Sequence, residues 1–276
     1  MTLVENLMIN YVVISPTLSL LFTVIILLFC TITISTPMYI KKWVSFSGVL
    51  LTLFMVFLKF GLYSTDGISA YFSNMILSDP FSLVGNTLIA FILLFTFSSF
   101  WKTSELIESK TTEALILIFM SASGFMLMVD SENFIMLFIG LEIGSISLYA
   151  LAGLNRGDQL SNEASLKYFL LGSLASCIFI YGIALLYVSL SIIGLYEINI
   201  AINYIGLNNV PLTSFIGIIF IIVGLLFKVA AAPFQAGSRC LPRLSHRICR
   251  LHGSSSKSSI FCCTCKTNYS VIKVYT

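Results

Sequence analysis

The sequence predicts an all-α, polytopic membrane helix bundle of about seven transmembrane helices, with its N-terminus outside. Three observations predict it. The 276-residue chain is 58% hydrophobic and 10% charged, with a mean hydropathy of +0.99, whereas a soluble domain is roughly 45–50% apolar and about 25% charged. A membrane-crossing helix needs about 20 apolar residues, and seven stretches supply them: 12–34, 44–64, 79–101, 113–129, 132–154, 164–190 and 211–234. Between these stretches, Lys and Arg fall on alternate sides only.

The separation can be followed element by element. Span 1 is preceded by Glu5 rather than a basic segment and is long enough to cross, so it reads as a span and not a cleavable signal. Lys41 and Lys42 follow it. Span 2 carries Lys59 five residues before its end, where a lysine is expected to snorkel, with its stem in apolar surroundings and its ammonium at the interface. Asp66 and Asp79 come next. Lys102 and Lys110 follow span 3. Span 4 is short, and Asp130 and Glu132 separate it from span 5, after which comes Arg156. Span 6 is long, which predicts tilt or a break, and Glu197 follows it. Span 7 leads into a basic tail. Lys and Arg mark the inner side, and the opposite segments, with Glu5, Asp66, Asp79, Asp130, Glu132 and Glu197, contain neither. The tail is therefore expected inside.

Gly, Ser and Ala recur in spans 5 and 6 ("GLEIGSISLYALAG", "LLGSLAS"). Small residues let helices approach closely in lipid, so these two spans are expected in the bundle interior and the Phe- and Leu-rich spans 1 to 3 against lipid. Cys30 and Cys177 lie singly in apolar runs and read as small core residues. No disulfide framework is implied.

Besides Lys59 and the acids at span ends, three charges fall within spans. Glu142 in "FIGLEIGSISLYAL" is ten residues from one end of span 5 and twelve from the other, near mid-bilayer. Lys228 in "GLLFKVAAAPF" is six residues before Phe234, and Lys167 in "NEASLKYFLLG" is early in span 6. A mid-membrane charge costs about 2.5–3.5 kcal/mol on insertion scales, so these groups are expected to pair or to work. One reading is a static Glu–Lys pair that fixes packing, although such pairs stabilise weakly. The other is proton handling, because burial and a nearby carboxylate pull on a lysine's proton in opposite senses. At 1.5 Å per residue, Glu142 lies roughly 18 Å and Lys228 roughly 9 Å from the inner face. Tilt or a broken helix must close that gap, and Pro233 supplies a cause for a break.

The segments "GLEIGSISLYALAGLNR", "NEASLKYFLLGSLASCIFIYGIALLY" and "GLLFKVAAAPF" together resemble subunit 2 of the proton-pumping NADH:ubiquinone oxidoreductase, respiratory complex I, and its bacterial homologues. The resemblance is continuous over about 130–234. It implies an antiporter-like fold of inverted five-helix repeats, with Glu142 tuning the site electrostatically, Lys228 as the central proton carrier and Lys167 relaying protons between Lys228 and the inner face. It also implies no cofactor held by this chain. NADH, FMN, iron–sulfur clusters and ubiquinone act elsewhere in the complex. The implied partners are other membrane subunits and the lipid bilayer, with no nucleic acid, no metal site and no stand-alone homo-oligomer.

The family pattern continues after "PF" with a "H-x-W-x-P-D-V-Y" run, whereas this chain reads "PFQAGSRCLPRL". The sequence thus divides into a transmembrane antiporter-like domain, 1–234, and a basic, Cys-rich tail, 235–276. The tail holds seven of the fifteen Lys/Arg, both His, five of the seven Cys and no acid. Cys249, His252, Cys262, Cys263 and Cys265 offer zinc-like spacings, but no folded module surrounds them. A second reading is a polybasic segment on anionic lipid. The favoured reading is translation one nucleotide out of register. Ser238-Arg239-Cys240-Leu241 written TCC AGA TGT TTA, followed by C, becomes Pro-Asp-Val-Tyr when one base is skipped. The same skip turns His252–Ser259 into Met-Ala-Val-Val-Pro-Lys-Ala-Ala. A frameshifted gene, an edited transcript or a sequencing error would each produce this.

The function expected is proton translocation within complex I, coupled to electron transfer from NADH to ubiquinone. The alternatives are a stand-alone cation/proton antiporter and a structural membrane subunit with static buried ion pairs. The Phe-, Ile- and Leu-rich composition suits an AT-rich organelle genome, which predicts the mitochondrial inner membrane, with a bacterial plasma membrane as the alternative.

Overall fold

The computed structural model of the chain describes residues 3–32, 37–66, 69–101, 108–154, 159–205 and 211–228. In order they form α1 (Leu3–Ile32), α2 (Met38–Asp66), β1 (Ser69–Tyr71), β2 (Ile76–Ser78), α3 (Pro80–Trp101), α4 (Glu108–Asp130), α5 (Phe134–Ala152), α6 (Gln159–Leu190), α7 (Leu195–Ile205) and α8 (Leu212–Lys228). Among the described residues six helices, α1 to α6, are long and apolar enough to cross a membrane. The seventh expected span falls on α8, whose 17 residues cover about 25 Å at 1.5 Å per residue. Lys102, Arg156, Pro233 and the whole of 235–276 lie outside the described residues, so the expected helix break and the tail readings do too.

Local chemistry sets the helix starts. Asp79 precedes Pro80, which suits the first helical position because its missing N–H needs no partner there. The Ser82 N–H donates to Asp79 Oδ1 at 2.7 Å and the Asp79 N–H to Ser82 Oγ at 3.1 Å, a reciprocal box that fixes the head of α3. Asn133 is extended, and its side-chain oxygen accepts from the Ile135 N–H at 2.9 Å, which starts α5. Inside α1, Pro16 cannot donate to the Val12 carbonyl. The Ser15 hydroxyl donates to that carbonyl instead at 2.7 Å, so the oxygen that Pro16 frees is not left bare in lipid.

Three elements were not legible in the sequence. β1 and β2 pair antiparallel with Ala70 opposite Leu77, around a turn in which Phe72, Ser73 and Asn74 all have positive φ. Three-residue strands carry too little alternation to be seen. Helix α7 is short and begins where the Glu132 carboxylate accepts the Tyr196 N–H at 2.9 Å, a cap supplied from 64 residues away. The segment 131–133 ties this end of the bundle together, since Ser131 bridges to Ile76 and Asn133 to Gly194.

Helix α4 sits at the centre, packed against α1, α3 and α5, while α6 packs against α5 and α8. Glycine makes both close approaches. A Cβ on Gly124 of α4 would meet the Gly144 nitrogen of α5 at 2.5 Å, and one on Gly182 of α6 would meet the Gly217 oxygen of α8 at 2.7 Å. The expectation that span 6 is interior therefore needs correction. Its small residues serve the face toward α5 and α8, whereas Leu166, Phe169, Leu170, Leu174 and Val188 are exposed in the chain. Helix α4, not α6, is the most buried of the long helices.

Candidate functional site

The close contact of α6 with α8 carries Lys228 to the groove between α5 and α6. There its Nζ donates to Glu142 Oε1 at 2.5 Å, with the lysine side chain 5% and the glutamate side chain 22% exposed. The same Glu142 oxygen accepts a second bond from the Ser176 hydroxyl of α6. Lys228 Nζ also lies 3.4 Å from Ser145 Oγ, one turn along α5. Three helices thus meet at one carboxylate oxygen. The depth gap read from the sequence is closed in the structure, where α8 runs back along α6 from a contact of Ser214, near the start of α8, with Ser189, near the end of α6, at 2.9 Å. The flexible four-carbon stem of lysine does the rest.

From this pair a polar stripe runs along the α5–α6 interface. Glu142, Ser145 and Tyr149 are spaced three and four apart and share one face of α5. The Tyr149 phenol reaches across to α6. Its hydroxyl lies over Gly172, where a Cβ would approach it to 1.9 Å. The Tyr149 ring meets Tyr168 edge to face at 4.7 Å, and Ser165 donates to the Tyr149 carbonyl at 3.0 Å. Hydroxyl groups can both give and accept a proton, so the stripe offers successive exchange points from the Glu142–Lys228 pair toward the start of α6.

Lys167 is not brought to that pair. It precedes Ser176 by nine residues, two and a half turns at 3.6 residues per turn, so it projects from the opposite face of α6. There it pairs with Glu163 one turn earlier, and the two side chains are 55% and 50% exposed. It stands beside Tyr168, at the same end of the bundle as the tyrosine pair.

Sequence reasoning also missed a second buried pair. Lys59 does not snorkel: it is fully buried, and its Nζ donates to Asp130 Oδ1 at 2.7 Å. The Asn86 amide donates to the same oxygen at 2.7 Å. The side chain turns inward because α3 and α4 present polar partners, a signal that only the fold brings together. Asp130, read as an interface acid, is the last residue of α4 and is 2% exposed. Among the described residues no three His, Cys, Asp or Glu side chains gather as a metal site requires.

Residues 131–236 match the family model described as NADH:quinone oxidoreductase/Mrp antiporter, TM. The chain is 44% identical over 168 residues to NADH-quinone oxidoreductase subunit N 1 of Chloroherpeton thalassium, which is 60% of this chain and 34% of the relative. It is 38% identical over 190 residues to subunit N of Bartonella bacilliformis, 66% of this chain and 37% of the relative. Among solved structures it is similar to a chain of respiratory complex I from Thermus thermophilus with bound aureothin, with a TM-score of 0.72, 25% identity, and 90% of this chain and 52% of that chain covered. The fold also matches a chain of the Mrp complex from Dietzia sp. DQ12-45-1b, with a TM-score of 0.74 at 15% identity over 93% of this chain and 48% of that chain. The chain spans little more than a third of the length of these curated relatives and about half of the solved chains.

Proposed function

We propose, from the premise that the chain is an antiporter-like membrane subunit of the complex I family, that it takes part in proton translocation coupled to NADH-to-quinone electron transfer. One observation carries the reading: an ammonium, a carboxylate and two hydroxyls converge between α5, α6 and α8 inside apolar helices. A buried pair of this kind is a poor stabiliser, since desolvation offsets its attraction. It makes better sense as a proton carrier, Lys228, whose hold on its proton depends on how close Glu142 stays. Lys167, exposed on the other face of α6 beside Glu163, exchanges protons with the inner face in this reading.

The chain works in a multi-subunit membrane complex, as an element next to other membrane subunits and lipid rather than as a stand-alone homo-oligomer. No nucleic acid enters this reading. It holds no redox centre of its own, and NADH, FMN, iron–sulfur clusters and the quinone act in partner subunits. The protein is a multi-pass membrane protein. The curated relatives named above are bacterial, which supports a bacterial plasma membrane more than the mitochondrial inner membrane.

The fold similarity to the Mrp complex supports a second reading, a cation/proton antiporter without electron transfer. Purifying the chain from its membrane separates the two. Co-isolation with an NADH-oxidising activity supports the first, and isolation without any such activity supports the second. The proton role itself is tested by Glu142→Gln with Lys228→Leu in the assembled complex. Loss of pumping per NADH oxidised is expected, and an unchanged ratio would leave the pair a static structural element.

A further inference from the structure

We propose that Lys59, Asp130 and Asn86 form a second proton-exchange site, built around one buried water, at the end of the bundle capped by the β1–β2 hairpin. The proposal rests on the proton-translocation reading and adds a site to it. Three helices contribute one group each: Lys59 from α2, Asn86 from α3 and Asp130 from α4. Lys59 and Asn86 are fully buried and Asp130 nearly so.

The hydrogen-bond count is incomplete in a specific way. An ammonium carries three N–H groups, and Asp130 is the side-chain partner of Lys59 among the described residues. The Asn86 amide gives one N–H to Asp130. Its carbonyl oxygen Oδ1 is buried with no hydrogen-bond partner among the described residues. Spare donors on Lys59 and a spare acceptor on Asn86 are complementary to one water, which accepts from the first and donates to the second. Buried waters sit where otherwise unsatisfied polar groups can supply such partners.

The cluster also has a polar approach. Ser82 is buried one turn before Asn86 on the same face of α3. It is hydrogen-bonded to Asp79, which heads that helix and is only partly buried. Asp79, Ser82, Asn86 and the water thus descend stepwise from the capped end to Asp130. Among the described residues, the charged groups at this end of the bundle include Lys59 on α2, Asp79 at the head of α3, and Glu132 in the cap, where Glu132 is engaged by the first turn of α7. A hydronium arriving at the capped end gives its proton to the Asp130 carboxylate and leaves as water, which frees Lys59 from the pair. The reverse step returns the proton and restores the pair.

A merely structural pair predicts otherwise, because replacing both charges by apolar groups of similar size is often neutral for stability. The test is Lys59→Leu with Asp130→Leu in the full complex in membrane vesicles, beside Lys228→Ala. The expected result is an assembled complex in which protons pumped per NADH oxidised fall at least twofold. An assembled complex with an unchanged ratio overturns the proposal. If Lys228→Ala lowers the ratio in that same experiment, the proton-translocation reading survives while this one fails. Should the double variant not assemble, a density map of the native complex decides. A water within hydrogen-bond distance of both Asn86 Oδ1 and Lys59 Nζ is expected, and a dry cluster overturns the proposal.

Discussion

Lys228 Nζ rests 2.5 Å from Glu142 Oε1 because Gly182 and Gly217 let α6 and α8 meet backbone to backbone. The ion pair therefore depends on a helix contact formed by residues with no charge at all.

Lys228→Ala leaves the carboxylate with Ser176 as its remaining side-chain donor. Removing one partner of a buried pair costs about 3–5 kcal/mol. The 22% exposure of Glu142 places this case at the low end. The complex is expected to assemble and to oxidise NADH with several-fold fewer protons moved, measured as vesicle acidification per NADH. An unchanged ratio rejects the carrier role.

Six of the spans and the Glu142–Lys228 pairing were legible because apolar length and an isolated charge are local signals. The fold then supplied what is not local. Ser176 read as one more small residue in "LLGSLAS", since a serine used for packing and a serine used as a donor look the same in sequence. Lys59 read as a snorkelling lysine because its partner Asp130 is 71 residues away, and Asn86, which donates to the same carboxylate, 27. Helix α7 escaped notice because Glu132, which caps it, belongs to the connection between two other helices.

Ser176→Ala tests the second donor to Glu142. A hydrogen bond to a charged group is worth about 1.5–3 kcal/mol. The variant is expected to lower the thermal midpoint of the isolated subunit or subcomplex and to reduce pumping less than Lys228→Ala does. A loss equal to that of Lys228→Ala would make Ser176 an obligatory step in the route.

Gly172→Ala places a methyl 1.9 Å from the Tyr149 hydroxyl, which forces the ring off its site between α5 and α6. Overpacking of this kind costs about 1–3 kcal/mol. Tyr149→Phe removes the atom in closest conflict, so the double variant is expected to regain part of the stability lost by Gly172→Ala. A double variant no more stable than Gly172→Ala alone would mean that the clash lies with the ring carbon Cζ, 2.5 Å away, and not with the hydroxyl.

Lys59→Leu by itself leaves Asp130 charged in the interior with Asn86 still donating to it. An uncompensated buried charge costs about 3–5 kcal/mol, whereas removing both partners costs little. Lys59→Leu is therefore expected to destabilise the protein more than Lys59→Leu with Asp130→Leu, measured by thermal unfolding of each assembled complex. The order follows from burial: a pair at the surface shows almost no difference between single and double variants. Equal losses in the single and double variants would mean that water reaches Asp130 freely, and that Lys59 contributes its stem rather than its charge.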